Sequence, residues 1–332
     1  VKRAWRWVRA RWRRCAAAAL LLAFAALNLV AYLHARAMVT WSEPGARTPN
    51  PEHLSLVEKV RVLATGVQVP RPTNARTPGD LGLAFETVRF ESASGAELEA
   101  WLVPADAAND RGVVVACFHG YAAAKASLLE RAAVLRDLGC ALALVDFSGS
   151  GGSSGTGTTI GIREALDAAA ATRFARERFG DRALVLFGDS MGSVAVLEAV
   201  ANHAAATDGL ILEGAFDTLA HTTERRFASM GLPSWPFAPL LVFWGGVAAG
   251  IDGFDHRPID DARAVTAPTL MIHAGEDRRI ALEEARSVRD ALDGWTRFAV
   301  VPGAGHSRSF ATDPERWRAA VDALLTRVAT TR

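Results

Sequence analysis

Read as apolar and polar positions, the chain changes pattern three times. Cys15 to Leu33, CAAAALLLAFAALNLVAYL, is an uncharged run of nineteen residues. As a helix rising about 1.5 Å per residue it spans roughly 28 Å, close to the hydrocarbon thickness of a bilayer. From Ser42 to about Leu83 the chain is rich in Pro, Thr, Gly and Arg, with one amphipathic piece of helical period, LSLVEKVRVLATGV. Beyond it, AFETVRFES and ELEAWLVP alternate like half-buried strands, and GVVVACFHG is a continuous apolar run ending in glycine.

From there helix and strand alternate to the end. KASLLERAAVLRDLG, IREALDAAAATRFARERFG, MGSVAVLEAVANHA, LEEARSVRDALDG and PERWRAAVDALLTRV carry the helical period, and between them fall the buried-strand runs CALALVDF, RALVLFGDS, GLILEGAF, PTLMIHAG and TRFAVVPG. Antiparallel opening strands followed by repeated β-α units predict an α/β fold: a mostly parallel central sheet with helices on both faces. One stretch breaks the alternation. Asp217 to Asp255 replaces a simple crossover helix with prolines, glycines and an aromatic run, and reads as a short apolar helical lid.

Charge sharpens the N-terminal picture. Lys2, Arg3, Arg6, Arg9, Arg11, Arg13 and Arg14 stand without an acid ahead of the apolar run, in a chain whose net charge is +1, so residues 15 to 332 sum to −6. An excess of Lys and Arg on one flank predicts a single-pass membrane helix with its N-terminus cytoplasmic and the body outside, and Trp12, Tyr32 and Trp41 suit the two interfaces. The alternative is a secreted protein freed by cleavage at Ala35-Arg36-Ala37, although the apolar run exceeds the 7 to 15 residues usual in a signal peptide. An acidic body excludes nucleic acid as a partner. Cys117 and Cys140 lie in buried-strand runs, and no C-x-x-C, H-E-x-x-H or H-x-H gathers ligands, so neither a metal nor another cofactor is expected.

Gly188-Asp189-Ser190-Met191-Gly192 lies between the strand RALVLF and the helix MGSVAVLEAV. A G-x-S-x-G in strand-turn-helix context is the nucleophile elbow, whose tight turn presents the serine Oγ at the carboxyl edge of the sheet. A serine needs a base, and the base an orienting acid. His306 in VPGAGHSRS and Asp277 in HAGEDRRI follow the last two predicted strands at that same edge, with Glu276 the rival acid. The backbone amides of Tyr121, after the strand-end His119-Gly120 pair, and of Met191 are positioned for an oxyanion hole. Asp146 to Gly155 is glycine-rich but lacks the Gly-Lys-Ser/Thr of a phosphate loop, and reads as a loop against the sheet.

On these motifs the chain resembles, from about Phe85 to Val328, the α/β-hydrolase superfamily, and within it the serine aminopeptidase-like and membrane-anchored acyl hydrolase branches. Asp146 to Gly155 matches their D-x-x-G-x-G-x-S-x-G, Gly303-Ala304-Gly305-His306 their closing G-x-G-H, and His273, Ala274, Asp277 and Ile280 the acid-bearing loop. Ala274 stands where glycine is usual and Ser148 where arginine is common. The resemblance implies an α/β-hydrolase domain over 84–332 with its lid at about 217–255, after a basic tail 1–14, a transmembrane helix 15–33 and a juxtamembrane connector 34–83. It implies a Ser190–Asp277–His306 triad cleaving a carboxylic ester or thioester through an acyl-enzyme. The lid residues Trp235, Phe237, Phe243 and Trp244 are candidates for binding a small-molecule or lipid-like acyl group of short to medium length. A peptidase, with Glu213 or Asp217 receiving a free amine, is the rival within enzymes, and a catalytically silent hydrolase-fold binding protein is the rival outside them.

Overall fold

A computed structural model describes residues 2–43, 45, 47–49 and 54–330, without the side chains of residues 2–10, 60 and 63–65. The basic residues Lys2 to Arg9 therefore lie outside the described side chains. Among the described residues eight strands form one sheet: β1 Glu86–Glu91, β2 Glu97–Val103, β3 Val113–Phe118, β4 Cys140–Val145, β5 Ala183–Asp189, β6 Gly209–Glu213, β7 Thr269–Ala274 and β8 Thr296–Val301. Their spatial order is β1-β2-β4-β3-β5-β6-β7-β8; β2 runs antiparallel to both β1 and β4, and every later pairing is parallel. The mostly parallel sheet is the one the pattern predicts, and the arrangement is the α/β-hydrolase fold that the resemblance implies.

The helices are α1 Lys2–Val39, α2 Leu56–Thr65, α3 Leu129–Asp137, α4 Glu164–Phe179, α5 Met191–Asn202, α6 Leu219–Ser229, α7 Phe237–Ala249, α8 Pro258–Ala262, α9 Leu282–Ala291, α10 Ser309–Thr312 and α11 Pro314–Thr330. Successive side chains on a strand point to opposite faces, so each parallel strand feeds two cores. Val114, Ala116 and Phe118 of β3 pack with alanines of α4 and with α5, α8 and α9, while Val113, Val115 and Cys117 pack with α3 and α11. The continuous apolar runs read from the sequence are thus strands buried on both sides.

Two segments go beyond their expected roles. The N-terminal helix extends past Leu33 to Val39, and its last turns leave the apolar run to pack on the body. Ala35 is buried to 2% exposure, Asn28 accepts a hydrogen bond from Trp244 Nε1 at 3.0 Å, and Tyr32 meets the Trp244 ring edge-on at 5.6 Å, which joins α1 to α7. The segment after α1 is more than a connector. Thr158 N–H donates to Val39 O at 2.9 Å, Trp41 N–H to Thr156 O at 3.0 Å and Ser42 N–H to Val69 O at 2.8 Å, so the chain is laced onto the body before the first strand begins.

Beneath the carboxyl edge lies a buried ion pair. Arg131 of α3 donates to both carboxylate oxygens of Glu213 at 3.0 Å, Trp317 Nε1 donates to the same carboxylate at 3.1 Å, and the guanidinium also holds Ser307 O at 3.1 Å. Burial opposes the charge on Arg131, but Glu213 outweighs it and the guanidinium pKa is raised. A pair of this kind is unforgiving when broken singly, because the remaining charge is left in an apolar interior. Arg131→Met is expected to lower the unfolding free energy by about 3–5 kcal/mol, read as a shift of the denaturant midpoint at constant slope. Replacing Glu213 by Leu in the same chain should recover most of that loss.

Candidate active site

β5 ends at Asp189 and α5 begins at Met191, so the whole reversal falls on Ser190, whose φ of 52° and ψ of −111° are unusual for a residue with a side chain. Neighbouring glycines make the turn possible. A Cβ on Gly188 would lie 2.4 Å from the Gly192 backbone, and one on Gly192 would lie 2.4 Å from Phe118 O. The turn is held by Ser190 N–H donating to Glu213 O at 2.7 Å and by Ser193 Oγ donating to Gly188 O at 2.6 Å.

Ser190 Oγ lies 2.9 Å from His306 Nε2, and His306 Nδ1 lies 2.7 Å from Asp277 Oδ2. The other Asp277 oxygen accepts the backbone N–H groups of Arg279 at 2.8 Å and Ile280 at 3.0 Å. Burial pushes the Asp277 carboxyl up, but the bond from His306, its charge and those two amides outweigh it, leaving the pKa below the ordinary value. Glu276 is exposed, and its backbone N–H is spent on Ala304 O at 2.8 Å. The three side chains come from the loops after β5, β7 and β8, and together they can move the serine proton onto an imidazole whose tautomer a carboxylate fixes.

Phe118 pairs with Gly188 across β3 and β5, so Tyr121 and Met191 follow the ends of neighbouring strands. The Met191 amide belongs to the first turn of α5, where N–H groups have no intrahelical acceptor. Tyr121 is anchored by its hydroxyl donating to Met38 O at 2.7 Å. His119 is buried and structural: its Nδ1 sits 2.9 Å from Gly120 O, and its Nε2 accepts Phe147 N–H at 3.1 Å. Asp146 is likewise internal. It accepts Lys125 N–H at 2.7 Å, Gly152 N–H at 2.9 Å and Asn74 Nδ2 at 2.7 Å, and it pairs with the buried Lys125 ammonium. The glycine-rich stretch is thus a brace for the site. Ser148, where arginine is common, donates its N–H and Oγ to the buried Asp167 at 2.9 and 2.6 Å.

A chamber of about 100 Å³ in front of Ser190 and His306 is walled by Met38, Tyr121, Phe216, Leu219, Arg226 and Arg279 among others. Of the four lid aromatics expected from the sequence to bind substrate, Phe237 alone lines the space that continues from it, where Phe227 joins it. Trp244 is committed to α1, Phe243 lines a separate surface hollow, and Trp235 is 78% exposed. Sequence reading missed Met38, Arg226 and Arg279. Met38 lies just past the apolar run, and the two arginines sit among the many of an arginine-rich chain, so only the fold reveals that they converge. Glu213 and Asp217 stand apart from the chamber: the first is consumed by Arg131 and Trp317, while the second accepts His221 Nδ1 at 2.8 Å and Thr218 N–H at 2.6 Å.

Comparison with known proteins agrees with this architecture. A family model described as serine aminopeptidase, S33, matches residues 108–240. An uncharacterized protein of Bacillus subtilis (strain 168) is 25% identical over 238 residues, covering 70% of this chain and 77% of its own length. Among solved structures, an esterase of Pyrococcus furiosus superposes with a TM-score of 0.64 at 20% identity, over 78% of this chain and 96% of its own. An esterase of Exiguobacterium antarcticum gives 0.55 at 20% identity, over 73% and 100%. The α/β hydrolase GrgF of a Penicillium species gives 0.60 at 18%, over 75% and 100%.

The roles of the two adjacent acids separate by reactivity. Asp277→Asn should slow labelling of Ser190 by a fluorophosphonate by about 10³-fold or more, since the wrong imidazole tautomer costs a triad about ten-thousand-fold in turnover. Glu276→Gln should leave the labelling rate within about two-fold, as expected of a surface side chain away from the reacting groups. Labelling rates measured by gel fluorescence decide between them.

Proposed function

We propose that this chain, a member of the α/β-hydrolase superfamily by its fold, is a membrane-tethered serine esterase. The observation that carries the reading is the unbroken relay from Ser190 Oγ through His306 to Asp277, at 2.9 and 2.7 Å, opening on a mostly apolar chamber. Ser190 Oγ attacks the ester carbonyl carbon as His306 Nε2 takes its proton. The amides of Tyr121 and Met191 stabilise the oxyanion. The carbonyl then reforms, the bond to the alcohol oxygen breaks, and His306 returns the proton to the departing alcohol. Water repeats the sequence on the acyl-enzyme, giving up one proton through His306 to Ser190 and releasing the acid. Every proton is accounted for by the imidazole, so the relay operates with the chain's own groups.

Esters are favoured over peptides with a free amino terminus by charge. Among the described residues no acid lines the chamber or the cavity beyond it, whereas Arg226 and Arg279 line both. An ammonium group would meet cations there, at a cost that water does not fully screen in a half-enclosed site.

Tethering is supported by α1, which is long and apolar enough to cross a membrane from its length and composition. The orientation read from its basic flank leaves the hydrolase body outside the cytoplasm. Against cleavage, Ala35 of the A-x-A sequence is buried and Val39 just beyond it accepts the Thr158 N–H.

Two measurements test the reading. Wild-type protein should hydrolyse p-nitrophenyl acetate and take up one fluorophosphonate, and Ser190→Ala should lose both while keeping its circular dichroism. Faster cleavage of aminoacyl amides than of any ester would reverse the choice of substrate class. The full chain should also stay with the membrane through carbonate and high-salt washes, because a spanning helix is held by burial rather than by screened charge. Recovery in the supernatant, or a mature chain beginning at Met38, would replace the anchor with a signal peptide.

A further inference from the structure

The chamber at Ser190 continues into a larger cavity of about 210 Å³, the two sharing Met38, Tyr121, Arg226 and Arg279 as walls. One side of that cavity is the N-terminal helix itself. Leu27, Val30, Ala31, His34 and Met38 line it, and their spacing of three and four residues puts them on one face of α1. Phe227, Phe237 and Leu241 of the lid face them. From Met38 to Leu27 the helix rises about 16 Å, enough for an extended hydrocarbon of roughly a dozen carbons with C–C bonds near 1.5 Å.

The two ends of this passage differ. The inner end opens beside Tyr121, whose amide the esterase reading assigns to the oxyanion, and His306 is not among its walls. A leaving alcohol has to sit at His306 to receive its proton, so a chain lying in the passage belongs to the acyl half of the ester. The outer end, at Leu27 and Val30, adjoins the part of α1 whose Leu20, Leu21, Leu22 and Phe24 are exposed. Leu56 and Val57, which open α2 between the lining residues Leu54 and Lys59, are more than three-quarters exposed as well. Apolar residues gathered at a rim in this way mark contact with a partner or a bilayer, and a helix of this length and composition makes the bilayer the fitting one.

We infer that the anchor helix forms part of the substrate site: an acyl chain of a membrane lipid slides from the bilayer along the inner face of α1 and delivers its ester carbonyl to Ser190. The inference rests on the esterase reading and adds the substrate class, a long-chain lipid ester, and its source. It extends the short to medium chain expected from the lid composition, because α1 supplies a wall that the lid alone lacks.

The test uses the full chain reconstituted in phosphatidylcholine vesicles, with p-nitrophenyl acetate, p-nitrophenyl dodecanoate and the vesicle lipid as substrates. Dodecanoate should exceed acetate in kcat/KM by at least ten-fold, and fatty acid should be released from the vesicle lipid. Ala31→Trp on the inner face and Leu241→Trp on the facing lid wall should each lower the dodecanoate-to-acetate ratio by at least ten-fold. Leu29→Trp, exposed at the same depth on the opposite face of α1 and absent from the cavity walls, should leave the ratio as in wild type. A flat wild-type series with acetate still cleaved, or Ala31→Trp and Leu241→Trp lowering both esters in proportion, overturns the passage while the esterase reading stands. Cleavage of dissolved dodecanoate with no release from the vesicle lipid overturns the bilayer as source. Failure to cleave acetate at all is failure of the esterase reading itself.

Discussion

Everything in the site depends on how closely two backbones approach at the turn after β5. Gly188 and Gly192 have no room for a side chain, and their contact with each other and with the end of β3 forces the chain to reverse on one residue. That residue then has its hydroxyl lifted clear of the sheet and its amide turned inward to Glu213 O. The same reversal starts α5 directly at Met191, the residue that follows the one bearing the hydroxyl. A methyl group at either glycine would disturb the Ser190 turn, the start of α5 and the strand spacing together, so these are one constraint.

The frame around this turn uses buried charge to hold loops that have no regular pairing. Lys125, Asp146 and Glu99 brace the glycine-rich loop under the Trp101 ring, and Arg131 with Glu213 reaches Ser307 next to the imidazole. Asp189 lies among the same charges, and burial pushes its carboxyl up to about 6 against the pull of Arg131. Such groups gain little net stability over apolar ones. What they provide is direction, since a fork of hydrogen bonds locates the His306 loop in a way that apolar contacts would not.

Much of this architecture is legible in the sequence alone. Continuous apolar runs separated by amphipathic helices are dictated by a two-sided sheet, and the motifs at 188–192, 277 and 303–306 fall where strand ends must deliver them. The lid is legible as an exception to the alternation, but which of its aromatics face inward is not. Trp244 and Phe237 are equally apolar, and only the docking of α1 sends one to Asn28 and leaves the other at the cavity. The contribution of α1 is hidden for the same reason. A run apolar enough for a bilayer carries no periodic mark of the face it turns to protein, so Leu27, Val30 and Ala31 cannot be told from Leu20 to Leu22 by pattern.

The contact between Asn28 and Trp244 joins positions 216 residues apart, one near the start of the chain and the other after six strands have been made. During synthesis the first helix therefore emerges long before its partner exists. If it enters the bilayer at once, as its apolar run favours, the lid helix can meet it only after six of the eight strands have been made, with β7, β8 and α11 still to follow. Assembly of the body and its seating on the membrane would then be coupled through one contact, that of α7 with α1.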